Sequence, residues 1–114
     1  MPPRQWRLRI QDMLAAIARI QGYVEGMSFE DFANDPKTLD AVVRNFEVLG
    51  EAARRVPTEV QARFPGIPWI EMHETRNVVA HAYFRVDPLI IWDAIHRNLP
   101  PLVPALERIL DAES

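Results

Sequence analysis

The sequence predicts an all-α fold, an up-and-down bundle of four to five main helices. Three observations carry that expectation. Apolar residues recur at intervals of three and four nearly everywhere. No segment alternates apolar and polar residues as a half-buried strand does. The prolines fall where helices start or break rather than in a linker.

Each element follows in order. Trp6, Ile10, Met13, Leu14, Ile17 and Ile20 form one stripe that ends near Gly22. Ser28 caps a short turn through Phe29 and Phe32, with Asp31 at the spacing of a capping box. Asp35-Pro36 reads as a cap followed by a first-turn proline. Leu39, Val42, Val43, Phe46, Leu49 and Ala53 make a second long stripe, closed by Pro57. Thr58 to Phe64 forms one more short helix, with Gln61 completing a second capping box. The run PGIPW, Pro65 to Trp69, is punctuation before another helix. Asp87-Pro88 opens the last helical region, whose stripe is Leu89, Ile91, Trp92, Ile95 and Leu99. Pro100, Pro101 and Pro104 are expected to break or kink it before Leu106, Ile109 and Leu110.

The chain has 114 residues, so one domain spanning 1–114 is expected. Its lack of cysteine excludes a disulfide framework, a thiol nucleophile and a thiolate metal site, and fits a reducing cytoplasm. No stretch approaches the roughly 20 apolar residues of a membrane span. A net charge of -3 argues against coating nucleic acid by bulk charge. No aromatic–basic platform of the kind that stacks bases is evident along the chain.

Chemistry concentrates in ETRNVVAHAYF, Glu74 to Phe84. A zinc site is the first idea to test, because His73 and His81 share the segment. They are eight apart, about 12 Å along a helix. One metal holding its ligands at about 2 Å cannot take both without bending the helix. No metal or cofactor is therefore expected.

On an ideal wheel Arg76, Val79 and Tyr83 share a face, and His73, Asn77 and His81 share the adjacent one. Arg76 and His81 converge if the arginine curls round, if the helix loosens near Ala80, or across two copies of the chain. The residue types suit metal-free phosphodiester cleavage. His81 exchanges protons near neutral pH. Arg76 is a fixed cation whose planar fork fits phosphate. Asn77 can donate to an oxyanion. RNA supplies its own nucleophile in the 2′-OH, which favours it over DNA.

The segment resembles the HEPN superfamily, whose signature is Arg, four to six residues, then His. Here Arg76 and His81 are separated by Asn77-Val78-Val79-Ala80. It is most similar to the HepT branch, whose signature extends to Arg-x4-His-x-Tyr, completed by Tyr83. FEVLGEAARRV, FPGIPW, YFRVD and IWDAIHRNLPPL resemble other stretches of that branch in the same order. Glu74-Thr75 and Ala82 depart from its common residues.

The resemblance implies an all-α homodimer and a metal-independent endoribonuclease toxin. Its antitoxin would be a minimal nucleotidyltransferase that can transfer AMP to Tyr83. Arg76, Asn77 and His81 would be catalytic. The alternative is a non-catalytic helical dimer that binds nucleotide, nucleic acid or the nucleotidyltransferase. Glu51 is open to two readings, a partner for Arg54 or Arg55 or an orienting group for Arg76.

Overall fold

A computed structural model of the chain describes residues 3–72 and 87–112. Every regular element among them is helical, as the periodicity predicts. Helix α1 runs Pro3–Tyr23, α2 Phe29–Ala33, α3 Pro36–Arg54 and α4 Thr58–Arg63. Residues 69–72 are helical. Helix α5 spans Pro88–Asp93 and α6 spans Leu99–Ala112, with a π-helical turn at Ala94–Asn98 between them. No helix among the described residues is long and apolar enough to cross a membrane.

The caps explain the starts. Ser28 accepts from the Asp31 N–H while the Asp31 carboxylate accepts from the Ser28 N–H, so the first capping box is real. Asp35 caps α3 with two bonds, from the Thr38 hydroxyl at 2.8 Å and the Thr38 N–H at 3.2 Å. The hydroxyl first, and then the N–H, hold the Asp35 carboxyl below its ordinary value. Asp87 caps α5 by accepting from Leu89 N–H at 2.9 Å.

The second expected capping box does not form. Pro57 is the N-cap of α4, with no side-chain cap bond. Gln61 instead turns back and donates to the carbonyls of Val56 at 2.9 Å and Ala53 at 3.5 Å. These carbonyls belong to the last turn of α3 and the residues after it, where intrahelical donors run out. The competing acceptors are local, the Val56 and Ala53 carbonyls five and eight residues before Gln61.

Helices α1 and α3 share the most extensive interface among the described elements. Ile10, Met13, Ile17 and Ile20 of α1 and Val42, Val43, Phe46, Leu49 and Ala53 of α3 are buried in one core cluster. Ala16 is buried too, a small residue inside the stripe that lets the helices approach. One polar pair crosses this interface. Arg19 Nε donates to Asn45 Oδ1 at 2.7 Å, and Asn45 Nδ2 donates to the Ala41 carbonyl at 2.9 Å. Asn45 is the only polar or charged residue buried in the core among those described.

The last helical region supplies the third wall through Ile91, Ile95, Leu99, Leu102, Leu106 and Ile109, all buried. Leu89, expected in that stripe, is 48% exposed and belongs to the surface. It is the second residue after the cap, before the inward face begins. The expected break at the prolines is also corrected. Helical backbone continues from Pro88 to Ala112, and the disturbance is the π-turn upstream of the prolines. Pro100 and Pro101 follow the π-turn directly, as the second and third residues of α6. Only Pro104 stands inside the helix proper. At the far end Arg7 donates to the Leu110 carbonyl at 3.0 Å, tying α1 to α6.

Two outcomes follow. Asn45→Ala leaves Arg19 without its acceptor and should lower stability by about 1–3 kcal/mol in urea unfolding. The Asp35 contribution carries a pH sign. Its folded pKa is depressed, so its stabilisation is complete above the ordinary value of 3.8 and is lost as pH falls through the folded value. The difference in melting temperature between the parent and Asp35→Ala should therefore be constant near neutrality and shrink in acid.

Candidate functional site

Arg76, Asn77, His81 and Tyr83 all lie outside the described residues, within 73–86. His73, Glu74 and Ala82 lie there too. The structure does describe the two frames that hold this segment in the chain.

The upstream frame is the turn from Phe64 to Trp69. Phe64 is the C-cap of α4, and its carbonyl accepts from the Ile67 N–H at 3.2 Å and from the Trp69 indole N–H at 3.0 Å. Trp69 N–H donates to the Ile67 carbonyl at 2.9 Å, and Met72 N–H to the Pro68 carbonyl at 3.0 Å. Ile67, Trp69 and Met72 are all buried. The sequence builds this locally. Pro65 and Pro68 restrict φ on both sides of Gly66, and the tryptophan closes the turn on its own first carbonyl. The helical start at 69–72 is thus fixed in position.

The downstream frame is Asp87 and α5. Trp92 packs against Phe32 at 5.3 Å between ring centroids and edge-on against Phe29 at 6.1 Å. His96 lies 4.1 Å from the same indole, and its Nδ1 is 2.8 Å from the Trp92 carbonyl. Short helix α2 is therefore the clamp on α5. The π-turn at Ala94–Asn98 carries His96 and Arg97, and neither was singled out by any motif.

The described residues form two further clefts, of which the first borders both frames. One, of about 440 Å³, has walls from Phe46, Leu49, Met72 and Leu102, with Glu71, Asp93 and Asn98 as polar groups. The other, of about 470 Å³, is a charged groove between α1 and α3 lined by Arg9, Asp12, Arg44, Glu47, Glu51 and Arg55. In that groove acids and bases meet along their own helices: Arg9 with Asp12 at 3.4 Å, Arg44 with Glu47 at 3.6 Å, and Glu51 with Arg55 at 3.2 Å and Arg54 at 3.9 Å. Of the two readings of Glu51, the pairing with Arg54 and Arg55 is thus present. Such half-exposed pairs contribute little each, about 0–1 kcal/mol. Among the described residues no three His, Asp or Glu side chains are grouped to hold a metal ion.

The fold also assembles what linear reading does not find. Arg63 and Arg108, far apart in sequence, line one cleft with Phe64. No local pattern signals it, because the cleft forms only when α4 and α6 come together.

Comparison with known proteins adds a family to this geometry. The model of the family described as ribonuclease HepT-like matches residues 13–109. A Thermococcus cleftensis protein named "Probable ribonuclease HepT" is 36% identical over 100 residues, covering 88% of this chain and 91% of its own. A Methanocaldococcus jannaschii protein provisionally named an RNase is 33% identical over 110 residues, covering 96% and 91%. A Caldanaerobacter subterraneus protein, also provisionally named an RNase, is 39% identical over 90 residues, covering 79% and 80%. No solved structure matches significantly.

The upstream frame generates a direct expectation. Trp69→Phe removes the indole N–H bond to Phe64 and also shrinks the buried ring system. It should cost more than the roughly 1 kcal/mol of the hydrogen bond alone in equilibrium unfolding. Trp69→Ala adds a cavity and should cost about 3–5 kcal/mol.

Proposed function

The chain belongs to the HepT-like ribonuclease family, and from that premise we propose that it is a metal-independent RNA endonuclease acting as the toxin of a toxin–antitoxin pair. The observation that carries this reading is the complete run Arg76-x4-His81-x-Tyr83 inside the matched residues 13–109. In the proposed reaction the RNA 2′-OH attacks the adjacent phosphorus and the 5′-oxygen leaves. His81 moves the proton. Arg76 neutralises the charge that builds on the phosphoryl oxygens. Asn77 orients one of them. The products are a 2′,3′-cyclic phosphate and a 5′-hydroxyl.

The protein acts as one domain over residues 1–114, in the cytoplasm and as a homodimer. Exposed Ile70, Leu89 and Ile90 support assembly. They flank the segment 73–86 on both sides, and Ile70 and Ile90 are 69% and 63% exposed. Single apolar surface residues are ordinary, but a set this close to the proposed site suits a second copy. Static light scattering at micromolar concentration should give the dimer mass; a monomer would refute the assembly.

Control falls to a minimal nucleotidyltransferase and Tyr83. The phenol oxygen attacks the α-phosphorus of ATP, pyrophosphate leaves, and the tyrosyl–AMP phosphodiester adds an anion. That anion suits a charge-assisted pair with Arg76 and would occupy the place of the substrate phosphate.

The deciding experiment incubates purified protein with RNA in the presence and absence of EDTA. Cleavage should persist with the chelator and leave cyclic phosphate ends. His81→Ala and Arg76→Ala should each lose about 10²–10⁴-fold in rate while remaining folded by circular dichroism. Loss with EDTA and recovery with Mg²⁺ would reject the mechanism. Co-expression with the partner enzyme should add one AMP by intact mass, and Tyr83→Phe should abolish the adduct.

A further inference from the structure

We propose that residues 94–101 are a hinge in the last helical region, about which α6 tilts against α5, and that the His96 side chain is its latch. The inference stands apart from the ribonuclease reading. It concerns the described helices alone.

The backbone ladder is incomplete here. In the π-turn the Leu99 N–H donates to the Ala94 carbonyl, five residues back, where an α-helix would give it to Ile95. The next two residues are Pro100 and Pro101, which have no N–H to give. The His96 carbonyl therefore has no backbone donor four or five residues on. The N–H of Leu99 makes one bond in either register, to Ala94 or to Ile95, and neither proline has one to lose. The turn can thus change between wide and narrow pitch with no net loss of backbone hydrogen bonds.

Burial at the turn is one-sided. Ile95 and Leu99 are each 2% exposed and sit in the core. His96, Arg97, Asn98 and the two prolines are exposed. The buried pair forms a pivot, and the incomplete ladder lies at residues that face water. Helices bend where solvent-side carbonyls turn out to water and where a π-turn interrupts the ladder.

The parts on either side are gripped separately. Helix α5 is held by α2, through Trp92 against Phe32 at 5.3 Å and Phe29 at 6.1 Å. Helix α6 is held by α1, through the bond from Arg7 to the Leu110 carbonyl at 3.0 Å. Only a few residues need absorb the change between two such parts. His96 spans them. Its Nδ1 lies 2.8 Å from the Trp92 carbonyl, which can only accept, so that nitrogen carries the proton. Its ring lies 4.1 Å from the indole. One exposed bond of this kind biases an equilibrium by about 2–10-fold, enough to favour the closed turn and too little to lock it.

The test is residue-resolved amide hydrogen exchange by NMR on the full-length ¹⁵N-labelled protein. Amides of His96 to Leu99 should exchange at least about tenfold faster than those of Arg44 and Glu47, which lie at mid-helix positions of α3. His96→Phe keeps a ring on Trp92 and removes the donor. It should speed exchange at 97–99 by about 2–10-fold and leave the buried Ile17 and Phe46 unchanged. Pro100→Ala with Pro101→Ala returns two donors and should slow exchange at 96–99 by a similar factor. Rates at 96–99 no faster than those of Arg44 and Glu47 would overturn the hinge, as would unchanged rates in the proline variant. In His96→Phe, rates that rise equally along the whole chain, or nowhere, would overturn the latch. The parent and His96→Phe decide the matter even if the proline variant does not fold.

Discussion

The stripes of α1 and α3 leave no alternative to burying each other. Each helix carries a continuous apolar face, and neither could remain in water at the cost of about 1.5–3 kcal/mol for each large side chain exposed. Apolar burial alone does not choose among sliding registers, however. The Arg19–Asn45 bond does. A buried amide that has its own helix's carbonyl on one side and a guanidinium on the other accepts only one alignment. A slip by one turn would strand Asn45 in the core with an unmet group. From that alignment follow the placement of α4 against the end of α3, the turn that leads into residues 69–72, and the wall left for α6.

Around this core the charges of α1 and α3 lie in matched pairs. Along α1 and α3 the bases sit one turn from acids on the same helix. They keep the surface soluble and add little stability. At the end of α4 and on α6, Arg63 and Arg108 line one cleft with Phe64.

What the sequence made legible was whatever depends on near neighbours. Ser28, Asp35 and Asp87 were readable as caps because capping is a matter of two or three residues. The core stripes were readable because the helical period is. Gln61 was misread because its spacing from Thr58 fits a capping box equally well, and the choice was made by the Val56 and Ala53 carbonyls at and just beyond the end of α3. The π-turn was invisible. Ile91, Ile95, Leu99, Leu102, Leu106 and Ile109 keep the threes and fours of an ordinary helix across it, so the prolines marked the neighbourhood of the irregularity and not its form. The candidate site was legible as a motif, because its four residues fall within one short run. Which faces converge is a tertiary matter that the wheel left open. The Arg63–Arg108 cleft had no linear trace at all.

The bond from Arg7 to the Leu110 carbonyl, 103 residues apart, has a temporal side. Chains are made from the N-terminus, at about 5–20 residues per second. Helices α1 and α3 are complete while α6 is still inside the ribosome, so their shared core lacks the wall of Leu99, Leu102, Leu106 and Ile109 until late in synthesis. The residues from 73 to 86 emerge during that interval, before the bundle that carries them is closed. For an enzyme that attacks RNA, the order matters. The scaffold is finished only once the helix that seals it has left the RNA-rich machine that made it.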